Sequence, residues 1–193
     1  GDRAQAKGIA LHAWENFPDV GSPAVHFRVS DAMATPFADS SFDFIWSMES
    51  GEHMPDKQAF LKECYRLLKP GGTFLMATWC HRPIDNLAGP LTEGENFHLD
   101  QLYQLYHLPY VVSLQTYQEL AAAVGFKELA IADWSAQVEF FWQDVVRSAL
   151  DPQVIVGIFR AGLETIRGTA AIALMTTGYQ RGLIRYGILR GSK

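Results

Sequence analysis

The fold is decided by Phe42-Asp-Phe-Ile-Trp46, which is followed by a helical segment, then by Lys69-Pro-Gly-Gly72 and Thr73-Phe-Leu-Met-Ala-Thr-Trp79. The first and last of these runs are short and nearly continuously apolar, which is typical of parallel strands covered on both faces. Between them, apolar residues recur at helical spacing from Pro55, the predicted first helical residue, to Leu68. Strand, helix and strand in this order form a βαβ unit, so we predict a parallel sheet.

The segments on either side extend this unit. Residues 24–29 alternate between apolar and polar side chains, which predicts a strand, and residues 127–133 are a plausible edge strand. Residues 113–124 form a helix that Ser113 caps and Gly125 ends. Residues 138–179 hold two or three further helices, and residues 183–189 alternate as the last strand.

The chain divides into three parts of one partial domain spanning residues 1–193. Residues 1–80 form the α/β core and include the end of a helix before residue 14, while residues 113–193 supply the later helices and strands. Residues 81–112 are rich in proline and polar side chains and contain an aromatic-rich helical stretch. We interpret this middle part as a cap inserted above the sheet.

Composition excludes several classes of function. With 48% hydrophobic and 19% charged residues, 193 residues can bury a core, and a formal net charge of -5 argues against a nucleic-acid partner. No stretch is long and apolar enough for a membrane span, and no zinc-site spacing is present. Cys64 lies on the apolar helix stripe, and Cys80 points away from His81 on an extended strand, so neither is predicted to be a nucleophile.

Ligands of open α/β sheets bind beyond the carboxyl ends of the parallel strands. Three segments are predicted to meet there: Ser30-Asp31-Ala32, the run from Ser47 to Met54, and Thr78-Trp-Cys-His-Arg82. All three carry polar or ionisable side chains, so a binding site is expected at this edge of the sheet.

Two sets of motifs resemble a known family. Asp31-Ala-Met-Ala-Thr-Pro-Phe37 and Leu68-Lys-Pro-Gly-Gly72 resemble the class I S-adenosylmethionine-dependent methyltransferases. Trp46-Ser-Met-Glu-Ser-Gly-Glu-His-Met-Pro55, Ala77-Thr-Trp-Cys-His-Arg82 and Leu108-Pro-Tyr-Val-Val112 are similar to the γ-tocopherol C-methyltransferases, closest to the cyanobacterial form. The resemblance implies a Rossmann-like α/β sheet, S-adenosyl-L-methionine as cofactor, and ring methylation of γ- to α-tocopherol or δ- to β-tocopherol in vitamin E biosynthesis.

The resemblance also implies that part of the domain is missing. Family members carry a first strand with a glycine-rich loop and a second strand ending in an acidic residue, and neither is present before residue 24. The chain is therefore expected to be an N-terminal truncation with an incomplete sheet, inactive on its own.

The resemblance places the cofactor at two strand ends. It implies that Asp31 accepts a hydrogen bond from the adenine amino group while the Ala32 N–H donates to the ring. Trp46, Ser47 and Met48 would pass under the cofactor. Two alternatives remain open: Asp31 can satisfy its own loop backbone, and Trp46 can be a core residue.

The expected chemistry is removal of a phenolic proton, which raises the electron density at the ortho carbon. His53, flanked by Glu49 and Glu52, is the candidate base, and Glu49 would orient it or face the sulfonium. His81 is the rival base, and His53 can instead cap the following helix. Glu52 also stands among the candidate substrate contacts.

Aromatic residues are expected to line the acceptor site, with Trp79 as a wall and Tyr110 as a contact in the cap. A prenyl-lipid phenol implies peripheral contact with a membrane, at a plastid envelope or thylakoid or at a cyanobacterial cytoplasm and membrane surface. A small-molecule N-methyltransferase on the same scaffold and a catalytically inactive fragment are the alternatives. No metal is expected.

Overall fold

A computed structural model describes residues 28–149 and 163–193 of the chain. The elements along the chain are β1 (Phe42–Met48), a 3₁₀ turn (Gly51–His53), α1 (Lys57–Leu67), β2 (Leu68–His81), α2 (Glu93–Tyr106), α3 (Leu114–Val124), β3 (Lys127–Asp133), α4 (Ser135–Ala149), α5 (Leu163–Gln180) and β4 (Ile184–Ser192). The predicted first helix and most of the predicted strand at residues 24–29 lie outside the described residues. Residues 28–30 are not in a strand.

The described strands form one sheet in the order β1-β2-β4-β3. β1 runs parallel to β2, with Trp46 opposite Leu75, which confirms the predicted βαβ unit. β4 is antiparallel to both β2 and β3, so the sheet is mixed and the prediction of a parallel sheet holds only for β1 and β2. β3 stands at the sheet edge as predicted. In this arrangement β1 and β2 end, and β4 begins, at the same end of the sheet.

Both ends of α1 differ from the sequence-based prediction. Asp56 is the N-cap, since its backbone is extended and its side chain accepts a hydrogen bond from the Ala59 N–H at 2.8 Å. Pro55 therefore precedes the helix, and its prediction as the first helical residue was wrong. At the other end α1 passes directly into β2, and Lys69-Pro-Gly-Gly72 lies within that strand as an irregularity opposite β1.

Helices cover both faces of the sheet. On one face, α1 and α3 pack on the inward side chains of β2 and β4, a cluster formed by Phe60, Leu61, Cys64, Phe74, Met76, Cys80, Tyr117, Ala121 and Leu189. On the other face, α2, α4 and α5 build a second cluster from Ala77, Leu99, Leu102, Trp142, Met175, Tyr179, Ile184 and Tyr186. Cys64 and Cys80 are both buried. Within the described residues, no helix meets the length and hydropathy that a membrane span requires.

β1 is not covered on both faces, contrary to the prediction. Phe44, Trp46 and Met48 point to one side and are 51%, 61% and 58% exposed, whereas Ile45 packs against the first cluster. The difference arises because β1 is an edge strand of the described sheet, and helices cover the second face over β2 and β4. Trp46 is therefore not a core residue, and that alternative was wrong.

Candidate active site

Glu49 is the first residue after β1 and has a left-handed backbone, with φ of 48°. Its N–H donates to the Ala77 carbonyl of β2 at 2.8 Å, and its carboxylate accepts a hydrogen bond from the Tyr186 hydroxyl at 3.3 Å. A left-handed glutamate is uncommon and costs free energy. The carboxylate is thereby held at the edge where β1, β2 and β4 meet.

The 3₁₀ turn after Glu49 sits tightly on β2. A Cβ at Gly51 would come within 2.9 Å of the Thr78 hydroxyl, so glycine permits the close approach. Glu52 is 1% exposed and accepts a hydrogen bond from that hydroxyl at 2.5 Å. Burial raises the pKa of Glu52, the Thr78 hydrogen bond offsets part of this rise, and the charges of His53 and Glu49 also act on it. Glu49, Glu52 and His53 are thus electrostatic neighbours, with Glu52 directed inward.

Lys57 holds the same turn from below. Its ammonium donates to the carbonyls of Gly51 at 2.9 Å, Glu52 at 2.9 Å and Met54 at 2.7 Å, and it lies 4.6 Å from the ring centroid of Tyr110. Burial lowers the pKa of Lys57 to about 8, against an opposing effect of the Glu52 charge. Burial is therefore the main influence on the pKa of both Lys57 and Glu52.

The sequence analysis did not identify Lys57. The available signal is its position, because a cation in the first turn of a helix opposes the helix dipole and needs another reason to be there.

The two candidate bases have different surroundings. His53 ends the 3₁₀ turn with an exposed side chain, and Asp56 rather than His53 caps α1. His81 is 7% exposed, its Nδ1 lies 2.6 Å from the Arg82 carbonyl, and burial lowers its pKa. His53 is therefore the histidine that is free to meet a ligand, and its role as base stays a prediction.

Aromatic rings surround the end of β2. The ring of Trp79 meets Tyr106 edge to face at 5.1 Å between centroids and lies 6.2 Å from Trp142, which is 6.4 Å from Tyr179. Trp79 is also directly opposite Tyr186 in the sheet. This aromatic shell, formed by Trp79, Tyr106, Trp142, Tyr179 and Tyr186, lies beside Glu49 and suits a flat apolar ligand.

Arg82 anchors the loop that follows this shell. Its guanidinium binds both carboxylate oxygens of Glu95, at 2.6 and 2.8 Å, and donates to loop carbonyls including that of Pro90 at 2.9 Å. These contacts fix the start of α2, which carries Tyr106.

The residues assigned to the cofactor lie on and before β1. Asp31 is exposed, and one of its oxygens accepts from the Met33 N–H at 2.8 Å, as the loop alternative anticipated. Ala32 packs partly against the first core cluster. Ser47 is buried with its hydroxyl 2.9 Å from that of Ser50, while the neighbouring Trp46 and Met48 are exposed.

Comparison with known proteins finds relatives among the methyltransferases. Residues 6–76 match a family model described as a methyltransferase domain. The chain is 40% identical over 167 residues to the chloroplastic tocopherol O-methyltransferase of Arabidopsis thaliana, covering 86% of this chain and 48% of that protein. It is 36% identical over 182 residues to the 2-methyl-6-phytyl-1,4-hydroquinone methyltransferase of Synechocystis, covering 90% and 54%.

A solved structure supports the same fold. The geranyl diphosphate C-methyltransferase of Streptomyces coelicolor matches with a TM-score of 0.72 at 20% identity, covering 98% of this chain and 59% of that one. The chain thus contains part of a Rossmann-like class I methyltransferase domain. It is similar to the tocopherol methyltransferases and their relatives, and it spans about half the length of the curated relatives it matches.

Proposed function

We propose that the complete domain, meaning this chain joined to the remainder that its relatives carry, methylates a ring carbon of a tocopherol, converting γ- to α-tocopherol or δ- to β-tocopherol. The observation that carries the proposal is the 40% identity to a tocopherol O-methyltransferase over 86% of the chain. The Synechocystis relative is named for a phytyl hydroquinone, a lipophilic phenol of the same chemical class. Both names favour a prenylated phenol as acceptor.

The described residues fit one side of an S-adenosyl-L-methionine site. Asp31 offers an exposed carboxylate oxygen, and Trp46 offers an exposed indole face on β1. Bound S-adenosylmethionine supplies an electrophilic methyl group on a sulfonium. In this proposal Asp31 and the Ala32 N–H hold the adenine, the exposed side chains of Trp46 and Met48 form the floor, and Ser47, whose side chain is buried, contributes only its backbone.

The acceptor side requires a base and an apolar wall. His53 takes the phenolic proton, because it is exposed beside Glu49 and a phenol of pKa about 10 is within reach of an assisted imidazole. Glu49 holds the developing positive charge of the imidazolium, and the aromatic shell excludes water. Trp79 and Tyr110 border the acceptor. Glu52 is buried against Thr78, so its prediction as a substrate contact was wrong, and it stabilises the turn instead.

Location follows from the acceptor. The Arabidopsis relative is chloroplastic, and the other comes from a cyanobacterium, so we propose a plastid or a cyanobacterial cell as the site of action. Phe97, Phe140 and Phe141 are 66%, 68% and 59% exposed, which suits peripheral contact with a bilayer that holds the substrate.

The test incubates the complete domain with S-adenosylmethionine labelled in its methyl group and either γ- or δ-tocopherol. Mass spectrometry should find the label on a ring carbon of the recovered tocopherol. A parallel incubation with an indole alkaloid amine tests the alternative N-methyl transfer. Label on the amine and none on either tocopherol would overturn the proposal.

A further inference from the structure

Two buried polar groups of the aromatic shell lack partners. The Trp142 Nε1–H and the Tyr179 hydroxyl have no hydrogen-bond partner within the described part of the chain, although the two residues are only 8% and 6% exposed. Burial raises the pKa of Tyr179, and a hydrogen-bonding interaction with the Trp142 side chain, too poorly aligned to satisfy either group, lowers it in part. Neither the established packing nor the proposed proton transfer accounts for these two groups.

An unpartnered buried donor is costly. Leaving such a group without a hydrogen bond costs about 1 to 3 kcal/mol, so native proteins keep few of them. A phenylalanine at either position would retain the ring contacts without that cost. We therefore expect a ligand to supply the missing hydrogen-bond partners of these two groups.

A hydrogen-bond acceptor, the Glu49 carboxylate, lies beside the aromatic shell. Burial and then the charge of Glu49 raise the pKa of Tyr186 to about 12, so its hydroxyl stays protonated and donates to Glu49. Tyr179 and Tyr186 belong to the same buried cluster and Tyr186 contacts Glu49, so the three residues are neighbours, and a carboxylate has capacity for further hydrogen bonds.

We propose that Trp142, Tyr179 and the Tyr186–Glu49 pair form a subsite for the ring hydroxyl of an aromatic acceptor. A phenolic hydroxyl accepts two hydrogen bonds and donates one. Trp142 and Tyr179 supply the two donors, and the Glu49 carboxylate, held by Tyr186, supplies the acceptor in the bound complex before His53 removes the proton. The subsite rests on the proposed function and specifies which part of the acceptor is recognised.

The match in hydrogen-bonding capacity favours a phenol or hydroquinol over an amine. A protonated amine has no lone pair for the two donors, so Trp142 and Tyr179 would stay unsatisfied. Recognition of this kind discriminates strongly, because a ligand without the hydroxyl leaves the buried groups unpaired.

The experiment measures equilibrium binding to the complete domain saturated with S-adenosylhomocysteine. The ligands are δ-tocopherol and the corresponding chroman that lacks the ring hydroxyl. We expect the parent protein to prefer δ-tocopherol at least about 10-fold. Tyr179→Phe and Trp142→Phe should each weaken binding of δ-tocopherol about 5- to 10-fold and leave the chroman within about 2-fold.

Tyr65→Phe is the matched control. Tyr65 packs edge to face on Phe126 beside the first core cluster, against the other face of the sheet. Its loss of a hydroxyl should leave both dissociation constants unchanged.

The outcomes separate the two proposals. If Tyr179→Phe and Trp142→Phe weaken both ligands equally, or weaken neither, the subsite is wrong while the tocopherol activity can still stand. If the parent protein binds no tocopherol and methylates none, the proposed function itself fails. Each variant keeps an aromatic ring, and binding to each is measured separately. If one variant fails to fold, binding to the other still tests the subsite.

Discussion

Two polar clusters lie at opposite ends of α1, and each shifts the pKa of a buried glutamate in the opposite direction. At the far end, both oxygens of Glu63 bind the Arg66 guanidinium, at 2.7 and 2.8 Å, and Thr35 donates two further hydrogen bonds. These contacts, the Arg66 hydrogen bonds foremost, lower the pKa of Glu63 to about 2. At the near end, burial raises the pKa of Glu52, which among the residues that the structure describes receives only the Thr78 hydroxyl as a side-chain donor.

The difference separates a structural cluster from the cluster that we propose to be functional. The Glu63 cluster, made of Thr35, Glu63 and Arg66, ties the loop before β1 to the helix and leaves no oxygen of Glu63 for a ligand. The turn cluster, made of Glu49, Glu52, His53 and Lys57, keeps a free imidazole and a strained carboxylate at the sheet edge. Perturbed carboxyls occur in both, so the pattern of satisfied partners, rather than the perturbation alone, indicates function.

The largest effect is expected at His53. In the complete domain, His53→Ala should lower kcat for tocopherol methylation by about 100-fold, because it removes the base but no packing contact. The dissociation constants of S-adenosylhomocysteine and tocopherol should change by less than about 3-fold on the same reasoning.

His107→Asn is the control for this experiment, since His107 is an exposed histidine at the end of α2 and asparagine tolerates its left-handed backbone. A wild-type rate in the His53 variant would transfer the role of base to His81 or to solvent.

Lys57→Met should affect both stability and activity. Three buried carbonyls lose their donor, so the free energy of unfolding should fall by about 2 to 4 kcal/mol in urea titrations. The loosened turn should also lower kcat by about 10-fold in the fraction that remains folded, since misplaced groups react more slowly.

Lys62→Met is the matched control, because Lys62 is exposed on the same helix. If the Lys57 variant lost stability while kcat per folded molecule stayed unchanged, Lys57 would belong with the structural cluster.

Glu63→Gln should affect stability alone. A lowered folded-state pKa means that the unfolded chain takes up the proton first, so the contribution of Glu63 is present above pH 4.5 and is lost as the pH falls towards about 2. With solvent screening at Arg66, the expected cost at pH 7 is about 1 to 2 kcal/mol.

Urea unfolding between pH 2 and 7 measures this contribution, with Glu119→Gln as an exposed control on α3. The two unfolding curves of Glu63→Gln and the parent should converge at the acid end. A drop in kcat per folded molecule would contradict the division between the clusters.

Sequence patterns predicted the helices and strands in which apolar residues recur at the period of a helix or a strand. α1, α3, β3 and β4 follow from apolar spacing and from caps such as Ser113, whose side chain accepts from the Thr116 N–H. Exposure of Trp46 did not follow, because burial of a strand depends on which element covers it. The Tyr186–Glu49 contact joins residues 137 positions apart, and no local pattern encodes such a pair.

The smallest effect, and the sharpest contrast with Glu63, is expected for Glu52→Gln. Because the folded-state pKa of Glu52 is raised, the folded protein holds this proton more tightly than the unfolded chain does. Its contribution to stability is full below pH 4.5 and is lost as the pH rises through the raised pKa. Glutamine keeps the Thr78 contact without ionising, so the variant should match the parent in acid and exceed it by about 0.5 to 1 kcal/mol at higher pH. The same urea titrations measure this difference. If the variant instead became less stable than the parent as the pH rises, Glu52 would belong with Glu63, as a residue that stabilises the fold through its charged carboxylate.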